Sequence, residues 1–492
     1  MHIDDDQPAG MLFNSIDFAF FLPLVFALYW GVFKGNIQRQ NLLIVAASYV
    51  FYAWWDWRFL FLIIFSTLVD FWVAKRMANV TNTQKRKALL WVSIAVNLGF
   101  LGFFKYYNFF LENFQEAFTL FGTSFNAPSL QIILPVGISF YTFQTLSYTI
   151  DVYRNKMAPT HNLVSFAAFV SFFPQLVAGP IERATYLLPQ FYNKRTFDYE
   201  KATDGMRQIL WGLFKKMVIA DNCATYANII FEHHDTYNGS TLVLGALFFT
   251  FQIYGDFSGY SDIAIGTARL FGFDLMKNFN FPYFSRDIGE FWRRWHISLS
   301  TWFRDYLYIP LGGSRGSTWF QIRNIFIIFI VSGFWHGANW TFIVWGALNA
   351  VYFLPLMLLG TNRKHLDTVA AGRWLPTLRE CFGMAVTFTL TVFAWIFFRA
   401  ESVRHAFEYI ANIWHHGVFE RPVFHQDDLV KPILILLVFF ILIEWLGRHG
   451  DFAIAHLKER WPVWLRWSFY FGIIFLLFYF KGAQQEFIYF QF

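Results

Sequence analysis

Residues 281–340 read FPYFSRDIGEFWRRWHISLSTWFRDYLYIPLGGSRGSTWFQIRNIFIIFIVSGFWHGANW, and two kinds of helix lie next to each other in them. The run 322–336 carries charge only at Arg323 and reads as a membrane helix ending on His336. Upstream, at 100° per residue, Phe291, Trp292, Trp295, Leu299, Trp302 and Phe303 share one side of a helix over 290–305. Glu290, Arg293, Arg294, Ser298, Ser300, Thr301, Arg304 and Asp305 share the other, Ile297 alone breaks the division, and His296 falls on the border. Such a helix is too polar to span and is expected along a membrane interface or a wet cavity. A spanning run and an interfacial one within sixty residues point to a fold built in lipid.

Working outward, the whole composition agrees. Hydrophobic residues make up 56% of the chain and charged residues 15%, against roughly a quarter charged in soluble proteins. The expected class is all-α: a polytopic transmembrane protein forming a single domain over 1–492, with a catalytic core at about 170–345. Spans are expected at 12–33, 41–55, 59–74, 88–105, 131–150, 162–179, 206–231, 241–255, 259–273, 322–336, 340–359, 381–398, 431–447 and 465–481. Of these, 131–150, 241–255 and 259–273 are short or polar enough to be broken or re-entrant, which is tolerated only around a cavity. The segments 183–204, 361–379 and 399–430 read as polar loops.

The net charge of +6 matters through its placement. Lys75, Arg76, Lys85, Arg86 and Lys87 crowd one loop, which the positive-inside rule assigns to the cytoplasm. Counting spans back puts the N-terminus outside, where Asp4, Asp5 and Asp6 fit. No leader-like basic region precedes the first apolar run, so that span is expected to be retained. A basic recognition stripe for nucleic acid is missing. Cys223 and Cys381 lack any C-x-x-C context, so neither a disulfide framework nor a thiolate metal site is expected. The adjacent pairs His233-His234 and His415-His416 read as solvated loop residues. The closing Phe487-Ile488-Tyr489-Phe490-Gln491-Phe492 is aromatic enough to dock on a membrane surface or a partner.

There is no H-E-x-x-H, P-loop, G-x-G-x-x-G or G-x-S-x-G, which removes the simplest support for zinc, nucleotide and serine-elbow chemistry. Histidine chemistry in the membrane remains. An ionisable group in Phe334-Trp335-His336-Gly337 needs a cavity or a partner, and a neutral imidazole is the natural base for a hydroxyl attacking an acyl group. The alternative is a histidine that merely joins helices. Gly333 and Gly337 allow close approach of a neighbouring helix or substrate chain. Trp335, Asn339 and Ser332 flank the site, and Ser332, one turn earlier, keeps a covalent acyl-enzyme in play. Arg293, Arg294 and Arg304 form either a solvated, headgroup-facing side or a cationic rim for an anionic glycan or the phosphates of an acyl donor, and Asp305 beside them is a further candidate lining residue. Asp256 and Asp262, in Asp256-Phe257-Ser258-Gly259-Tyr260-Ser261-Asp262, need internal partners, most simply a hydrogen-bond knot or an arginine ion pair.

Arg293-Arg294-Trp295-His296-Ile297-Ser298-Leu299-Ser300, Trp335-His336-Gly337, Phe173-Pro174-Gln175 through Gly179-Pro180-Ile181 and the 256–262 cluster together resemble the membrane-bound O-acyltransferase superfamily. The likeness is to its bacterial branch for alginate O-acetylation, peptidoglycan O-acetylation and D-alanyl transfer to teichoic acid. It runs from Leu12-Phe13-Asn14-Ser15 almost to the C-terminus. The resemblance implies that His336 is the essential histidine and His296 the second motif histidine. It further implies a ring of tilted helices around a central tunnel, in the bacterial inner membrane. A cytoplasmic acyl thioester such as acetyl-CoA would be the donor, with no permanently bound cofactor or metal. A periplasmic acetyltransferase-like partner would pass the group to a polysaccharide. Transport of a glycan or acyl precursor, with flux but no thioester turnover, and a non-catalytic scaffold are the rival readings.

Overall fold

The computed structural model describes residues 10–120, 122, 128–177, 179–424, 429–481, 485, 487 and 488. Asp4, Asp5 and Asp6, with the orientation argument resting on them, lie outside the described residues, as do Ala178 and Tyr489 to Phe492. Every regular element among the described residues is helical. Seven helical stretches have the length and apolarity to cross a membrane: Ile37–Ala78, Thr83–Leu120, Gly239–Leu270, Thr318–His336, Trp340–Leu358, Leu378–Arg399 and Val430–Gly447. Three shorter apolar stretches, Ile16–Val32, Leu163–Leu176 and Val463–Tyr479, accompany them. The protein is a multi-pass membrane protein.

Local chemistry sets the boundaries. The side chains of Ser15, Asn36, Asn82 and Asn162 accept from the backbone N–H groups of Phe18, Arg39, Lys85 and Ser165, capping four helices at their starts. Thr377 and Glu380 form a reciprocal capping box at the start of Leu378–Arg399. Within Ile37–Ala78, Asp56 takes an extended conformation (φ −160°) and breaks the stretch into Ile37–Asp56 and Leu60–Ala78.

The chain divides into two compact units, Met1–Met206 with Ala264–Met276, and Arg207–Ile263 with Lys277–Phe492. In the first, Asp70 is buried and accepts from Ser93 Oγ (2.5 Å) and Asn97 Nδ2 (2.9 Å), while Thr145 donates to Asn97 Oδ1 (3.0 Å). This polar knot joins Leu60–Ala78, Thr83–Leu101 and Ile138–Tyr153, and satisfies groups that lipid could not. Arg86, one of the loop cations, reaches the last carbonyls of Ile138–Tyr153 at Val152 and Tyr153.

Several expectations need correction. Residues 241–255 and 259–273 are not two broken segments: Gly239–Leu270 is one helix. The carboxylates that looked like an interruption are neutralised by lysines. Lys216 pairs with Asp256 (2.8 Å) and Asp221 (2.8 Å), and Lys215 with Asp262 (2.5 Å). Both lysines sit in a π-helical segment, Phe214–Ala220. The partners are therefore lysines where an arginine seemed simplest. The 399–430 loop contains the amphipathic helix Val403–His415. His234 is not a free loop histidine, since its ring stacks on His405 at 4.5 Å between centroids. Residues 128–135 are irregular, and the helix there begins only at Ile138. Phe487 and Ile488 are buried within the second unit, with Phe487 4.4 Å from the Tyr260 ring, so this part of the tail docks on its own chain.

Candidate active site

The expected single helix over 290–305 is two short helices, Ile288–Arg294 and Ile297–Phe303. Trp295 between them is extended, and His296 adopts the left-handed region at φ 44°, ψ 55°. That conformation is costly for a residue with a Cβ and persists only where its surroundings enforce it. Two backbone bonds do so: Ile297 N–H to Asn278 O (2.8 Å) and Ser300 N–H to His296 O (3.0 Å). The break turns His296 off the border between faces and into the interior, where it is 1% exposed.

The first turns of the face that looked wet, Glu290, Arg293 and Arg294, are packed beneath the loop following Trp340–Leu358. Glu290 accepts from Arg286 Nη2 (3.0 Å) and Arg294 Nε (3.0 Å), and both arginines donate to the Asp367 carbonyl. Arg293 donates to the Asn362 and His365 carbonyls at 2.7 and 2.9 Å. Its role is to hold that loop, so it is not part of an open cationic rim. Arg304 and Asp305 pair with each other at 2.7 Å on the surface.

His336 is the last residue of Thr318–His336 and is 3% exposed. Trp335, Trp345 and Phe398 surround its ring at centroid distances of 4.9, 5.2 and 5.4 Å. The His296 ring lies 6.4 Å away, and 6.1 Å from the Trp335 ring. The structure thus brings His296, His336 and Trp335 together. Gly333 makes the placement possible: a Cβ there would strike the Phe342 carbonyl oxygen, and a Cβ on Gly346 would strike that of Phe329. The Thr318–His336 and Trp340–Leu358 helices therefore touch backbone to backbone.

The other flanking residues have plainer positions. Ser332 lies one turn before His336 and is buried. Asn339 caps Trp340–Leu358 through Thr341 N–H and donates to the Glu401 carbonyl, a structural duty. Asp256 and Asp262 sit in the ion-paired layer with Lys216 and Lys215. Asp256 also accepts from Ile488 N–H (2.7 Å). Phe257, between that layer and the histidines, meets the His296 ring edge-on at 4.6 Å.

Asn278 was not anticipated. It is fully buried, and its Oδ1 accepts from Ser298 N–H (3.3 Å) and Ser298 Oγ (2.9 Å) while its Nδ2 donates to Ser261 Oγ (3.1 Å). A backbone N–H can only donate, so the atom facing Ser298 is the oxygen. His296 Nδ1, 3.0 Å from that oxygen, must then carry the proton, and Nε2 the lone pair. Burial pushes the His296 pKa down to about 3, which keeps the ring neutral. Only an asparagine between Lys277 and Phe279 in an apolar stretch marked the position, and no spacing rule links 278 to 296. A cavity of 370 Å³ lined by Phe251, Tyr254, Tyr283, Phe388, Phe440 and Glu444 lies alongside; Tyr254 and Tyr283 stack towards Trp295 at 6.1 and 5.9 Å.

A family model described as MBOAT, membrane-bound O-acyltransferase family, matches residues 156–397, a range holding both histidines. The chain is 42% identical over 443 residues to the probable alginate O-acetylase AlgI of Pseudomonas aeruginosa, covering 89% of this chain and 81% of that one. It is 32% identical over 528 residues to the peptidoglycan O-acetyltransferase of Helicobacter pylori, covering 98% of each. To the teichoic acid D-alanyltransferase of Bacillus subtilis it is 28% identical over 294 residues, covering 56% of this chain and 72% of the other. With two buried histidines 6.4 Å apart among aromatic rings and relatives of this closeness, the chain belongs to the membrane-bound O-acyltransferase family and is a membrane O-acyltransferase.

Proposed function

We propose that the protein moves an acetyl group from a cytoplasmic thioester, acetyl-CoA in the simplest case, towards hydroxyls of an extracytoplasmic polysaccharide. An alginate-like exopolysaccharide is favoured over peptidoglycan or another cell-wall polymer, because the 42% relative is named for alginate and the peptidoglycan relative is at 32%. Hand-over through a periplasmic acetyltransferase-like partner, residence in the inner membrane with the N-terminus outside, and a tunnel formed by a ring of tilted helices are parts of the same reading. The observation that carries it is the pair of imidazoles 6.4 Å apart among aromatic rings.

In this mechanism His336 takes the proton of the attacking hydroxyl as its oxygen bonds to the thioester carbonyl carbon. Collapse of the tetrahedral intermediate breaks the C–S bond, and the thiol leaves with the proton returned by His336. His296, held in one tautomer by Asn278, presents Nε2 to the acceptor and orients it. The surrounding tryptophan and phenylalanine rings keep water from intercepting the acyl group. Ser332 offers a covalent variant of the same transfer.

The test is thiol release from acetyl-CoA by purified full-length protein supplied with an acceptor polysaccharide. Wild type should turn over, and His336→Ala should lose at least about a hundred-fold in rate while remaining monodisperse in detergent. Full activity in that variant would end the proposal. Polysaccharide flux without thiol release would favour transport.

A further inference from the structure

A second cavity, of 560 Å³, lies where Val430–Gly447 ends and Val463–Tyr479 passes. Arg373, Arg448, His449 and His456 line it with no carboxylate among the lining residues, while Leu446 and Phe469 give it an apolar wall. Arg448 is 5% exposed, and its guanidinium donates to the carbonyls of Val369, Ala370, Arg373 and Trp445 at 2.7–3.3 Å and stacks on the Trp445 ring. Carbonyl dipoles satisfy its hydrogen bonds without cancelling its unit charge, which keeps a cationic group in the wall. Of the acids near the rim, Glu380 is engaged by Arg373 (2.9 Å), Glu459 by His456 (3.2 Å), and Asp451 lies 4.0 Å from Lys277. The flanking segments add Arg363, Lys364, Arg379, Lys458 and Arg466, the pattern of a cytoplasmic face, where anionic lipid is concentrated.

We propose that this cavity binds a phosphate-headed amphiphile, its head between Arg373, His449 and His456 and its apolar part against Leu446, Trp461 and Phe469. An anionic phospholipid of the surrounding leaflet has this chemistry. The phosphate-rich nucleotide end of a thioester donor has the polar half of it. The site is separate from the His296 and His336 chamber, and binding here can be measured whether or not acyl transfer is seen.

Full-length protein in phosphatidylcholine nanodiscs with and without phosphatidylglycerol supplies one arm, read by native mass spectrometry of retained lipid. Calorimetry with adenosine 3′,5′-bisphosphate in phosphatidylcholine discs supplies the other. Selective phosphatidylglycerol retention assigns the lipid; nucleotide binding assigns the donor. In either arm Arg373→Gln should weaken binding about five-fold and Arg373→Glu further, and Arg404→Gln, on the exposed face of Val403–His415, should not. If Arg373 variants do not fold, the His449→Gln, His456→Gln pair, which leaves the Glu380 ion pair intact, takes their place. No binding in either arm, or binding unchanged by these substitutions, overturns the proposal.

Discussion

At the scale of the residue, the site depends on a hydrogen bond that fixes which nitrogen of His296 is protonated. Asn278 accepts at Nδ1 and, being neutral, leaves the ring neutral. Asn278→Asp keeps the acceptor but places a carboxylate there, which stabilises the imidazolium and raises the His296 pKa from about 3. An imidazole that must offer its Nε2 lone pair to orient the acceptor is lost to that duty as the pH falls through its pKa. The variant should therefore show an acid limb in kcat displaced upward from that of wild type, while remaining folded. Asn278→Ala should lower kcat at every pH without creating that limb. Superimposable pH–rate profiles for wild type and Asn278→Asp would show that Asn278 does not act through His296.

At the scale of the element, the hairpin of Thr318–His336 and Trp340–Leu358 sets the depth and direction of His336. The two helices meet at Gly333 and Gly346 with no side chain between them. Gly346→Val would force them apart, costing about 1–3 kcal/mol of stability and lowering acyl transfer by moving His336 away from His296. Gly472→Val, in Val463–Tyr479 where a Cβ meets nothing within 4 Å, should change neither. Thermal unfolding in detergent alongside thiol release distinguishes the two glycines. The short helices around His296 follow the same logic, because it is the break at φ 44° that turns the imidazole inward.

At the scale of the whole molecule, orientation in the bilayer is testable with the native cysteines. Cys381 is exposed near the start of Leu378–Arg399 and beside the basic 361–379 segment, whereas Cys223 is buried. A membrane-impermeant maleimide should label Cys381 in inside-out vesicles and not in right-side-out ones, and Cys223 in neither; the reverse sidedness would invert the topology. Sequence alone determined the lipid-solvated class, the spans at 88–105, 322–336, 340–359, 381–398 and 431–447 and the family resemblance, because hydropathy and short motifs are local properties of the chain. Tertiary structure alone decided that Glu290 and Arg294 on the polar face of 290–305 are buried, since Glu290 is satisfied by Arg286 and Arg294 beneath a loop some seventy residues away. It also decided that Gly239–Leu270 runs unbroken and that Asn278 governs His296. A buried polar group is tolerated only if a partner reaches it, and that partner is supplied by the fold at a distance no periodicity can register.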